Sequence, residues 1–315
     1  MTSSKTGWAR RSPFILTLAV AIILFAAMTE ASAGDRLYAF RDCVKACEED
    51  HCAQGQTPMA IPLYRRLLLW DCPAECDYAC QQTTTAERVS AGYPVVQFHG
   101  KWPFTRILGI QEPFSVLFSL GNLYSHARGL RELRAAVPSS YPLLKFYKLF
   151  SYLAITSWVF SSVFHTRDFG LTEGLDYFGA GAAVMYGFYY APVRALRLDR
   201  PDRKTRARLR AWTVLCASMY AAHVVYLLFV RWSYTYNMMA NVVAGLIHNA
   251  TWCLFSLRRY SEKGEAWTLL PILCAAWISA AMSLELLDFP PIWGGLDAHS
   301  LWHMFTVIPA YIWYR

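Results

Sequence analysis

Apolar residues in this chain gather into runs. The first, "PFILTLAVAIILFAAMTEASAGD", follows Arg10 and Arg11 and ends in Ala31, Ser32 and Ala33. A basic start, an apolar middle and a small-residue ending are the three regions of a secretory signal peptide, which predicts cleavage after Ala33. The competing reading is an uncleaved anchor, because the apolar part is near the upper length for a signal. From 34 to 102 the pattern is mixed and polar. Beyond Trp102 apolar segments recur at 105 to 124, 146 to 165, 174 to 193, 211 to 230, 236 to 256, 267 to 286 and 298 to 314. Each is near the twenty or so residues that a helix needs to cross a bilayer, although the last is short and the first contains Glu112 and Pro113. The pattern predicts an all-α membrane protein with seven transmembrane helices. Residues 1–33 form a signal, 34–102 a small N-terminal domain, and 103–315 the helical domain.

Composition agrees, with 55% apolar and 17% charged residues across 315 positions, a bias that comes from several runs and not from one core. Charge then orients the segments. The loops after the first, third and fifth segments, with Arg315, hold 17 basic residues, whereas the opposite loops hold only Arg167 and Arg231. The basic side is therefore expected in the cytosol and the 34–102 region in the lumen, as the signal peptide also requires. The basic stretch from Arg194 to Arg210 has no interleaved aromatics, so it reads as a topological signal and not as a nucleic-acid patch. Nucleic-acid binding is excluded from the expected functions.

Cysteines divide the chain chemically. Cys43, Cys47, Cys52, Cys72, Cys76 and Cys80 cluster before the helical segments, while Cys216, Cys253 and Cys274 are scattered singly within them. In an exported region the cluster implies three disulfides, and sequence leaves all 15 connectivities open. A zinc knuckle using His51 is the rival reading. The region from 34 to 102 carries 7 basic and 9 acidic residues, so the net charge of +8 arises elsewhere.

Ionisable groups in apolar segments are costly and tend to mark functional sites. His299 and His303 in "DAHSLWH" stand four apart, one turn along one helix face. "SSVFHTRD" puts Ser161 and His165 in the same relation, and "LTEGLDYFGAG" brings Asp176 into the first turn of the next segment. With the topology above, these three segments place all five residues at the lumenal side of the membrane. Three imidazoles with an open fourth position suit a catalytic zinc, with Asp176 as base and Ser161 as oxyanion donor. Asp297 competes with Asp176 but reads better as a helix-start or supporting residue. His223 and His248 read as satisfied interior histidines, and Glu112, Asn122 and Glu285 receive no chemistry.

The ordered set S-x3-H, D, H-x3-H on seven helices resembles the membrane hydrolase superfamily that contains alkaline ceramidases and adiponectin-receptor-like proteins. Together with "DCVKACEEDHC", "LLWDCPAECDYAC", "QFHGKWPF" and "GIQEPFSVLFS" it is most similar to the Per-like family of post-GPI-attachment factors. The resemblance implies lipid remodelling of GPI-anchored proteins by hydrolysis of the sn-2 acyl ester. It also implies zinc on His165, His299 and His303, with Asp176 and Ser161 catalytic. The implied partners are GPI-anchored proteins and membrane lipid, in the endoplasmic reticulum membrane or alternatively the Golgi. A ceramidase-type amide hydrolase and a non-catalytic seven-helix receptor or GPI-protein chaperone are the alternatives.

Overall fold

A computed structural model describes residues 32–53 and 59–314; the stretch 1–33 expected to be a signal falls almost wholly outside the described residues. Among the described residues the chain is helical, with paired extended backbone confined to isolated bridges at Phe98 and Lys101, Ile107 and Ile110, and Ile292 and Leu296.

The N-terminal part is built on α1 (Tyr38–His51), the short α2 (Leu63–Leu67) and α3 (Cys72–Ser90). Asp71 starts α3 by accepting from the Ala74 amide, with proline in the first turn. Helices α1 and α3 are joined by Cys43–Cys80, Cys47–Cys76 and Cys52–Cys72. This nested pairing requires the two helices to run antiparallel, each presenting its cysteines on one face. Phe40 and Phe98 fill the small core beside Cys80. All six clustered cysteines are therefore consumed as disulfides, which overturns the zinc-knuckle reading.

Seven long helices follow: α4 (Pro113–Ala136), α5 (Leu144–Thr166), α6 (Gly170–Ala195), α7 (Arg203–Val225), α8 (Tyr234–Lys263), α9 (Leu270–Leu287) and α10 (Ala298–Ile312). Six of the seven apolar segments lie on these helices with modest end shifts. The first does not. Helix α4 begins only at Pro113, and residues 103 to 112 form turns with Leu108 and Gly109 at positive φ. Proline has no amide hydrogen and a fixed φ, so it opens a helix readily and cannot continue one. At Gly109 a Cβ would also stand 3.0 Å from Leu68 Cδ1. Helix α8 ends where Gly264 adopts the left-handed conformation, and Asp297 opens α10 in a capping box with Ser300.

Packing closes a ring in which α4 touches α5, α5 touches α6, α6 touches α8, α8 touches α9, α9 touches α10 and α10 returns to α4; α7 lies against α6. Among the described residues, three helical stretches, Arg203–Val230, Tyr234–Lys263 and Ala266–Leu284, are long and apolar enough to cross a membrane. Helix α10 has only 15 residues, and α4 and α5 carry polar stripes on their packed faces. On α4 these are Ser115, Ser119, Asn122 and His126, all buried, while Leu117, Leu120 and Tyr124 point outward. In lipid, apolar side chains gain nothing from turning inward, so helices associate through small and hydrogen-bonding residues. The helices that build the interior thus place their polar residues on packed faces and their apolar ones outward.

Candidate metal centre

Side chains from α5 and α10, both packed against α4, bring His165, His299 and His303 into a triangle. Their ring centroids are 5.1 Å apart for His165 and His299, 5.0 Å for His165 and His303, and 4.5 Å for His299 and His303. Candidate ligand nitrogens from all three lie within 4.8 Å of one another, and Nε2 of His165 is 3.3 Å from Nε2 of His299. Two nitrogens bound at about 2.0 to 2.1 Å to one tetrahedral zinc stand roughly 3.3 to 3.4 Å apart, so this pair fits such an ion without rearrangement.

The rings are held from behind. His165, 1% exposed, directs Nδ1 to Glu112 Oε2 at 2.7 Å, leaving Nε2 toward the centre of the triangle. His303 directs Nδ1 to Ser119 Oγ at 3.0 Å, and Trp158 packs edge-on against its ring. Ligating histidines characteristically have the second nitrogen fixed by a carboxylate, carbonyl or hydroxyl, which sets tautomer and direction. The donor set and its supports therefore fit a metal ion. The only other compact group of candidate ligands among the described residues, Cys52, Cys72 and Cys76, is spent in disulfides.

Glu112 is itself held. Its Oε1 accepts from Lys101 Nζ at 2.6 Å, and Lys101 also pairs with Asp168 Oδ2 at 2.8 Å. Burial opposes the Lys101 charge, but the two carboxylates outweigh it and raise the ammonium above the ordinary lysine range. The turn before α4 is pinned to the end of α5 by two backbone bonds, Glu112 N to His165 O at 3.0 Å and Gln111 N to Thr166 O at 3.1 Å.

Ser161 lies one turn before His165 and is buried, with its Oγ 3.1 Å from Ser119 Oγ. Asp176 is half-buried on α6, the helix packed against α5. Ser161, His165, His299 and His303 thus gather where α4, α5 and α10 adjoin, with Asp176 on the neighbouring helix. Asp297 does not join them, because its carboxylate caps α10 by accepting from the Ser300 amide at 2.9 Å. His223 contacts Asn237 and Tyr236 as an interior histidine should, whereas Nδ1 of His248 has no partner.

Sequence reasoning passed over Glu112, Ser119, Asn122 and Lys101. Asn122 Nδ2 donates to the His303 carbonyl at 2.8 Å and to Thr306 Oγ1 at 3.1 Å, tying α4 to α10. The available signal was the spacing of Ser115, Ser119, Asn122 and His126, a polar stripe along one helix face in an apolar segment.

A protein named PER1 homolog from Schizosaccharomyces pombe is 39% identical over 93% of this chain and 88% of its own length. Proteins named GPI-specific phospholipase A2-like PGAP3 are 37% identical in Cricetulus griseus, over 98% of this chain and 93% of the relative, and 37% in Homo sapiens, over 94% and 92%. No solved structure matches. The Per1-like family is matched by residues 62–315, which span the last disulfide partners, Glu112 and the whole histidine cluster, and the chain belongs to that family.

Proposed function

We propose that this protein is a zinc-dependent membrane hydrolase that removes the sn-2 acyl chain from the lipid of GPI-anchored proteins, giving a free fatty acid and a lyso-GPI protein. The observation that carries the reading is the triangle of His165, His299 and His303 with His165 backed by Glu112. The name borne by several relatives, GPI-specific phospholipase A2-like, suggests the substrate. The region from 34 to 102 is read as a lumenal domain of an endoplasmic reticulum or Golgi protein with a cleaved signal.

His165, His299 and His303 would hold a zinc ion, which would supply Lewis-acid polarisation of the ester carbonyl and a more acidic water. Asp176 takes the proton of the attacking water and returns it to the sn-2 oxygen as the acyl bond breaks. Ser161 donates to the carbonyl oxygen as it gains charge. The hydroxyl order follows from the hydrogen bonds. With His303 presenting Nε2 to the cluster, its Nδ1–H donates to Ser119, Ser119 donates to Ser161, and the Ser161 proton is left for the substrate. Glu112 keeps His165 in the tautomer that exposes Nε2.

Purified protein incubated with defined GPI and ceramide substrates, with and without a zinc chelator, tests the reading. The expected result is chelator-sensitive release of the sn-2 fatty acid from GPI alone. His303→Ala is expected to abolish zinc retention and activity, whereas Asp176→Asn should keep zinc and lose about 100-fold or more in rate, as for a missing general base. Cleavage of ceramide with GPI untouched would establish the ceramidase alternative. Bound zinc with neither lipid cleaved would favour a receptor or chaperone.

A further inference from the structure

The last residues of the disulfide-linked part reach the histidine cluster as a small hairpin. Phe98 and Lys101 exchange both backbone hydrogen bonds, each at 2.8 Å, around His99 and Gly100, which hold the positive φ that a tight two-residue turn requires. One end of the hairpin is locked. Phe98 is 1% exposed and packs on Phe40, with ring centroids 4.7 Å apart, beside Cys80, while the Gln97 carbonyl accepts from the Gly34 amide at 2.9 Å. The other end is Lys101.

Three groups surround the Lys101 ammonium. Glu112 Oε1 lies at 2.6 Å, Asp168 Oδ2 at 2.8 Å and the Phe164 ring centroid at 4.1 Å. An ammonium has three hydrogens and accepts nothing, so two carboxylates and a ring face use it fully. Glu112 comes from the turn before α4, whereas Phe164 and Asp168 flank His165 along the chain. Lys101 therefore joins the same two elements that the Glu112 N to His165 O bond joins. Desolvating two charges costs what their pairing need not return, so a buried ion pair is weak evidence for a role in stability. Here Glu112, only 4% exposed, spends its other oxygen on Nδ1 of His165 at 2.7 Å.

We propose that Lys101 is a positioning residue for the candidate metal centre, fixing the direction of His165 Nε2 through Glu112, so that the disulfide-linked part of the chain supplies a component of the site. The role rests on the zinc reading above. Its physical basis is charge balance. Glu112 and Asp168 both touch one ammonium, so without it two carboxylates face each other across a short gap, and Glu112, the less exposed of the two, is left with an unmatched charge. Repulsion then draws Glu112 away from Nδ1 and frees the His165 ring to turn. The Ser119 support of His303 is untouched. Losing Lys101 thus disturbs one ligand of three, which weakens the site and does not abolish it.

The test is the zinc affinity of the purified full-length protein in nanodiscs, titrated against a competing chelator without turnover. Lys101→Met is expected to weaken zinc binding about 10 to 100-fold, the usual cost of losing a group that supports a ligand. Lys101→Arg keeps the charge and is expected to recover most of that loss, which a change in packing alone would not predict. In a Glu112→Gln background Lys101→Met should cost nothing further, because additivity fails where two residues act through one contact. If Lys101→Met does not fold, Lys101→Gln carries the same test, keeping a hydrogen-bond donor while losing the charge. Unchanged affinity in the neutral variant, no recovery in Lys101→Arg, or a full second loss in the double variant would each overturn the role. Zinc bound equally by wild type and the neutral variant sinks the positioning role alone. A wild-type protein that binds no zinc sinks the metal-centre reading and this role together.

Discussion

Glu112 accepts from both His165 and Lys101 while only 4% exposed, so its charge is matched on each side. Replacing it with glutamine removes the negative charge that would make His165 a stronger ligand in the proposed zinc site and leaves the shape nearly unchanged. Glu112→Gln should therefore weaken zinc affinity or activity about 10 to 100-fold, the usual cost of losing a residue that backs a ligand, as zinc titration against a competing chelator will measure. Unaltered affinity would show that the carboxylate serves only to hold Lys101. At His99 the effect is on stability. Its Nε2 lies 2.8 Å from Asp77 Oδ1, and this hydrogen bond, resisted by burial and aided by Asp35, lifts the imidazolium above the ordinary histidine value of 6.5. A raised folded-state pKa gives stability that is fully present below about 6.5 and fades as pH rises through the folded value. The ring is more than half exposed, so solvent screening keeps the effect small. Thermal melts of the N-terminal region should fall slightly as pH rises from below 6.5, and His99→Gln should flatten that slope.

Among the helices, the approach of α5 to α6 controls where Asp176 sits. Gly179 lies one turn beyond Asp176, and a Cβ there would stand 2.8 Å from Phe160 Cδ2 and 3.4 Å from Ser157 Cα. The glycine is thus a contact point and not a hinge. Gly179→Val would force α6 away from α5 and carry Asp176 with it, while His165, His299 and His303 stay on α5 and α10. The expected result is zinc retention near wild type with activity reduced about 100-fold, in line with the cost of misplacing a reacting group by about 1 Å. Loss of zinc in parallel would mean that the α5 to α6 contact also shapes the histidine triangle. The disulfide ladder between α1 and α3 belongs to the same scale. Cysteines at 43, 47 and 52 and at 72, 76 and 80 repeat at near-helical spacing, so two antiparallel helices can bring all six together in nested order. That order depends on the helices running antiparallel, which spacing by itself does not state.

For the whole molecule, the cysteine-linked helices and the basic Arg194 to Arg210 stretch are expected on opposite sides of the membrane. In sealed microsomes, protease should cut the basic stretch and spare the disulfide-linked region; the reverse pattern would invert the proposed orientation. Long apolar runs made the helical class readable from sequence, because a bilayer imposes length and composition on anything that crosses it. The i, i+4 pairs Ser161 with His165 and His299 with His303 were equally legible, since helix periodicity alone puts each pair on one face. The cysteine cluster, in a region read as exported, likewise implied disulfides. The start of α4 was misplaced because hydropathy averages over Pro113 and the turns before it. Among the described residues, length and hydropathy together single out three helices able to cross a membrane where the segment pattern predicts seven: α10 is short, and α4 and α5 carry polar residues on their packed faces. Glu112, Ser119 and Lys101 were not legible as supports for the histidines. Each is distant in sequence from the residue it serves, Glu112 by 53 positions from His165 and Ser119 by 184 from His303. Periodicity reports which residues share a helix face, whereas only the packing of α4 against α5 and α10 decides which faces meet.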